Sequence, residues 1–92
     1  GVYPFNVGIL AQLGTVYGDM GRYDEGHRFL DQAIAMAPSN ALYVLNKAIL
    51  YDRMGDAPHA AQMYRFCLDL YYQDGSKQAV PVEQIKKRLA AL

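Results

Sequence analysis

Leu10-Ala11-Gln12-Leu13-Gly14-Thr15-Val16-Tyr17, followed by Met20-Gly21, discloses the architecture, because its pattern returns 34 residues later. Sliding the chain against itself by that interval sets Leu10 on Val44, Gln12 on Asn46, Gly14 on Ala48, Tyr17 on Tyr51, Met20 on Met54 and Gly21 on Gly55. The correspondence runs on through Gly26 and Ala60, Leu30 and Tyr64, Ala33 and Cys67, and Ile34 and Leu68. Size and polarity therefore recur through a whole period, and a fixed period of about 20 to 50 residues marks stacked supersecondary units.

Within each unit the apolar positions keep helical spacing, as in Leu10, Leu13, Tyr17 and Met20 and then Phe29, Leu30, Ala33 and Ile34, so each unit holds two helices. The break falls at 18–21 in the first unit and at Gly55-Asp56 in the second, where glycine accepts the left-handed backbone that ends a helix. Asp56 is placed to cap the next helix, with Pro58 tolerated in its first turn. The pattern predicts an all-α chain with helices over 6–20, 22–36, 40–54, 57–73 and 80–91, and no strand.

These residues resemble the tetratricopeptide repeat, whose pattern runs Trp-x2-Leu-Gly-x2-Tyr, then Ala-x3-Phe, then Pro. The first unit reads Leu10-x2-Leu13-Gly14-x2-Tyr17, Gly26-x3-Leu30 and Pro38, with Gly21-Arg22-Tyr23-Asp24-Glu25 as the turn between helices. The second keeps Val44, Ala48, Tyr51, Gly55, Ala60 and Tyr64 but has Lys47 for the Leu and Tyr72 for the Pro. The resemblance spans 4–72 and implies an α-solenoid of antiparallel helix pairs, with repeats at about 7–40 and 41–74 and a closing helix at 80–92. Packing logic agrees: Gly14, Ala48, Gly26, Ala60 and Ala33 are small where paired helices cross, and Tyr17, Tyr51, Leu30 and Tyr64 fill the adjoining space. In the last helix Pro81 suits the first turn, Val82, Ile85, Leu89 and Leu92 make one apolar stripe, and Glu83, Lys86, Lys87 and Arg88 are expected to face water.

Pro4 and Asn6 stand 34 residues before Pro38 and Asn40, as the tail of an earlier repeat would. Ile9, Val16 and Met20 match Tyr43, Leu50 and Met54, and the resemblance sets these against the second helix of a preceding unit. Two repeats plus a cap also fall short of the roughly three that solenoids need. The expectation is a carboxy-terminal piece of a longer array, or a homo-oligomer that covers the Ile9, Val16 and Met20 flank.

In such an array the first helix of each unit lines a concave groove. The matching side chains are Gly8, Ala11, Gln12, Thr15 and Asp19, then Leu42, Leu45, Asn46, Ile49, Asp52 and Arg53. Leu42, Leu45 and Ile49 form an apolar strip suited to an extended peptide or an amphipathic helix, unless the last helix folds over them and makes them core. Family members that clamp a terminal carboxylate project Lys and Asn where Ala11, Thr15, Leu45 and Ile49 stand, so that clamp is not expected. The expected function is non-catalytic protein–protein interaction with a protein or peptide partner; the alternative is a secretion-type chaperone that shields an export substrate.

Other chemistry finds little support. Hydrophobic residues are 52% and charged residues 20% of the 92, so the composition is that of a globular chain, and no apolar run reaches the ~18 residues of a membrane span. With nine cations against nine anions and one basic cluster, Lys86-Lys87-Arg88, nucleic acid is not an expected partner. His27 shares a helical face with Asp24 and Asp31 but has no second His, and His59 follows Pro58 in a first turn, so no metal site is expected. Cys67 occupies the small core position of Ala33 and reads as an inert buried thiol. There is no phosphate loop, paired catalytic carboxylate or zinc spacing, hence no expected cofactor or catalytic residue. A lone cysteine and the absence of a signal peptide over 1–6 leave the compartment open, with a soluble cytoplasmic protein as the default.

Overall fold

Small residues at two crossing points govern how closely the helices of this protein approach. The computed structural model describes residues 6–74 and 78–92, and all its regular structure there is helical: α1 (Val7–Asp19), α2 (Tyr23–Met36), α3 (Ala41–Met54), α4 (Ala57–Gln73) and α5 (Val82–Ala91). A β-carbon on Gly14 would stand 2.6 Å from Leu30 Cγ and 3.0 Å from the Gly26 carbonyl, and one on Gly26 would meet the Gly14 carbonyl at 2.9 Å. Backbone therefore rests on backbone where α1 crosses α2. The counterparts Ala48 and Ala60 are wholly buried between α3 and α4.

The two turns repeat atom for atom. Gly21 and Gly55 both adopt left-handed backbone, with φ of 79° and 80°. Arg22 N donates to the Tyr17 carbonyl at 2.9 Å, and Asp56 N donates to the Tyr51 carbonyl at 3.0 Å. Starts repeat as well: Asn6 Oδ1 accepts from Ile9 N, and Asn40 Oδ1 accepts from Leu42 N and Tyr43 N. Those side chains satisfy amides that a helix start leaves unpaired. Asp56 caps α4 as expected, accepting from His59 N, with Pro58 in the first turn.

α1 packs chiefly on α2 and α3 chiefly on α4, while α2 and α1 also meet α3, and α5 meets α4. The Cα envelope measures 44 × 32 × 16 Å, its thin dimension wide enough for two helices. Two core clusters result. Leu10, Ala11, Leu30, Ala33 and Leu50 form one; Ala41, Val44, Leu45, Ala48, Ala60, Tyr64, Cys67, Leu70, Val80 and Ile85 form the other.

Three expectations need correction. Tyr17 and Tyr51 are half-buried rather than core: Tyr17 stacks on Phe29 at 5.3 Å, and Tyr51 lies between His27 and His59. Pro81 sits just outside α5 as its N-cap residue. Arg88 does not simply face water, because its guanidinium engages Asp52 with two hydrogen bonds. The correspondence of Pro4 with Pro38 lies outside the described residues. No described helix is long and apolar enough to cross a membrane.

Candidate partner-binding groove

Side chains that project from α1 and α3 on one side surround an open depression of about 570 Å³. Its lining is Gly8, Ala11, Gln12, Thr15 and Val16 from α1 with Leu42, Tyr43 and Asn46 from α3. Gly8 has no side chain, and Ala11 is a buried floor. The Thr15 hydroxyl donates to the Ala11 carbonyl at 3.3 Å, so its proton is already engaged within α1. Gln12 and Asn46 add amides, each able to donate and accept. The site is a shallow apolar trough with an amide on either wall.

Six of the expected groove residues (Gly8, Ala11, Gln12, Thr15, Leu42 and Asn46) thus come together. The remainder divide. Leu45 is 8% exposed and joins the second core with Val80 and Ile85, while Ile49 is half-buried against the same core. The last helix does fold over that part of the strip. It leaves an open cavity of about 210 Å³ lined by Leu45, Ile49, Tyr64, Pro81, Gln84, Ile85 and Arg88.

The charged groove residues are paired with other side chains. Arg53 Nη1 donates to Asp19 Oδ1, tying equivalent places on α3 and α1. Asp52 accepts from the Tyr64 hydroxyl at 2.8 Å, from Arg88 Nε at 2.7 Å and from Arg88 Nη2 at 2.6 Å. The Arg88 hydrogen bonds hold the Asp52 carboxyl below the usual carboxylate range against the opposing effect of burial. Burial and that carboxylate push the Tyr64 phenol up to about 12.

Also on α1, Ile9, Val16 (which lines the edge of the trough as well) and Met20 are 40%, 51% and 58% exposed. Their counterparts on α3 are engaged with α2. Tyr43 packs on the first core, Leu50 is 2% exposed, and Met54 Sδ lies 3.2 Å from His27 Nε2.

Sequence reasoning missed a cluster between α2 and α3. Lys47 Nζ lies 2.7 Å from Asp31 Oδ1 and 3.2 Å from His27 Nδ1, and the His27 ring sits 4.2 Å from that of Tyr51. On its other side Tyr51 meets His59, whose Nδ1 is 2.7 Å from Asp56 Oδ2. Burial first, then the Lys47 cation, lower the pKa of His27. Lys47 and Tyr51 stand one turn apart and so share a face of α3, but that spacing carries no signal of the α2 residues they meet.

Cys67 is wholly buried, and burial pushes its thiol up to about 11. Among the described residues no group of three or more His, Cys, Asp or Glu could hold a metal ion. Comparison with protein-family models, curated proteins and solved structures gives no match to this chain.

Proposed function

We propose that the chain is part of a tetratricopeptide-type α-solenoid that binds a segment of another protein in the trough between α1 and α3. The solenoid reading draws support from the 34-residue recurrence of both the glycine turns and the asparagine caps. The observation that carries the binding reading is the open apolar trough itself, walled by Gln12 and Asn46. An extended segment fits it, because side chains of alternate residues enter the trough while side-chain amides meet the main chain. Against catalysis by Cys67 stands its buried thiol, which stays protonated near neutral pH and makes a poor nucleophile.

Gln12 and Thr15 are exposed, so Gln12→Arg plus Thr15→Arg fills the trough without disturbing the core. Peptides selected from a displayed library on the native chain are expected to lose binding to this variant at unchanged thermal stability. Equal binding of the selected peptides to both proteins would remove the trough as the site.

A second reading has its own observation, the exposed Ile9, Val16 and Met20, where the counterparts Tyr43 and Leu50 are half-buried and buried and Met54 is 41% exposed. It places a homo-oligomer or a preceding helix pair on that flank. Sedimentation of the native chain against Val16→Asp tests the oligomer, which requires the native chain to be larger.

A further inference from the structure

α5 takes a place on the second unit comparable to that of α3 on the first, yet it packs differently. α3 approaches the first unit closely because Gly18 has no side chain; Leu50 Cδ1 occupies the space a β-carbon there would need. The residue 34 positions on is Asp52, and no Cα of α5 comes within 8 Å of one in α3, although α1 and α3 approach that closely. Contact between α5 and α3 is made instead through side chains. Ile85 is the one buried residue of α5; Val82 and Leu89 are half-buried, and the cavity of about 210 Å³ remains beside Ile85.

Polar contacts hold α5 at two places. Ahead of the helix, Gln78 Oε1 accepts from Ala41 N at 2.6 Å and Gln78 Nε2 donates to the Ser39 carbonyl at 3.2 Å. Near its far end Arg88 grips Asp52 in a bidentate pair, with the Arg88 side chain 50% exposed. Asp52 is only 16% exposed and accepts from Tyr64 as well, so the pair is open to water on the Arg88 side alone; apart from it, α5 itself is held by a single buried side chain, Ile85. Beneath the helix lie Leu45 and Ile49, the apolar continuation of the trough that stays open at Gly8, Gln12 and Asn46.

We propose that α5 is a releasable lid, an internal occupant of the groove over Leu45 and Ile49 that a partner's amphipathic helix displaces. The displacing helix carries an apolar stripe spaced as Val82, Ile85 and Leu89 with a cation at the place of Arg88, since the site already accepts that pattern. Release uncovers Leu45 and Ile49 and lengthens the trough toward Tyr64. The proposal rests on the groove reading and names its regulation: the chain binds its own carboxy-terminal helix until a better-matched one arrives.

Native-state hydrogen exchange on the full chain tests the lid, and a synthetic peptide of residues 80–92 added in trans tests the groove beneath it. In the native protein the amides of α5 are expected to exchange at least about tenfold faster than those of α3 and α4, as separately opening segments do. Arg88→Gln speeds α5 exchange a further three- to tenfold or so and leaves α1 to α4 unchanged, as fits loss of one partly exposed pair. Lys87→Gln on the same helix changes neither. The peptide shifts the Leu45 and Ile49 methyl resonances of Arg88→Gln more than those of the native chain, and its Ile85→Asp version shifts neither. Exchange of α5 at one rate with α3 and α4 in both proteins overturns the lid, whatever the trough between α1 and α3 binds. Independent opening of α5 without peptide-induced shifts overturns the displacement, because the uncovered groove then takes no helix.

Discussion

Replacing Leu30 by Ala empties a wholly buried site against Gly14, and loss of such a side chain costs roughly 2 to 5 kcal/mol once the cavity is included. Urea denaturation of Leu30→Ala is expected to show a loss in that range, nearer the upper end because a backbone-on-backbone crossing cannot collapse to fill the space. His27 supplies a second residue-scale prediction. Its folded pKa is lowered by burial and by Lys47, so as pH falls below about 6.5 the unfolded chain binds the proton first. Stability is therefore full above about 6.5 and declines as pH drops through that value to the lower folded one, with Asp31, Asp24 and Asp56 moderating the effect. The urea midpoint at pH 5 compared with pH 7.5 should show the decline, and His27→Gln should reduce it. Individual residues were only partly legible in the sequence. Leu30, Ala33 and Cys67 are core as their spacing implied, whereas His27 draws its surroundings from Lys47 and Tyr51 on another helix, which one helix's spacing cannot show.

Helix boundaries were legible to within two residues or so wherever a capping group marks them. Gly21 and Gly55 ended their helices because only glycine enters the left-handed region without a steric penalty. Asn6 and Asn40 were noticed as an equivalent pair, but their role as caps became plain only from the hydrogen bonds. Asn40→Ala is expected to cost about 1 kcal/mol, the usual worth of an N-cap, because two amides of α3 lose their acceptor. Asn6→Ala should cost less, since its bond is exposed and α1 packs on fewer neighbours than α3. Equal losses in the two variants would mean that the caps act locally, without regard to how firmly each helix is held. The last helix was legible in extent and stripe but not in attachment. Arg88 reads from sequence as one of three solvated cations, and its acceptor Asp52 lies 36 residues away on α3.

At the scale of the whole molecule, the 34-residue sequence period reappears in the backbone at the paired turns and the paired caps. The trough was half legible: the residues that open it at Gly8, Gln12 and Asn46 could be named, but whether α5 covered Leu45 depended on a contact no periodicity encodes. The proposed solenoid makes a strong demand, because in quasi-one-dimensional stacking each layer must accept another of the same kind. A copy of residues 7–40 placed directly before Val7 tests this, since Asn40 then precedes Val7 as Asn6 does in the native chain. The added α2 would meet Ile9, Val16 and Met20 as the native α2 meets Tyr43, Leu50 and Met54. The lengthened protein is predicted to unfold in one urea transition, at a higher midpoint and with a steeper slope than the native chain. Two separate transitions, or an unchanged midpoint, would contradict the claim that residues 34 apart occupy equivalent layers.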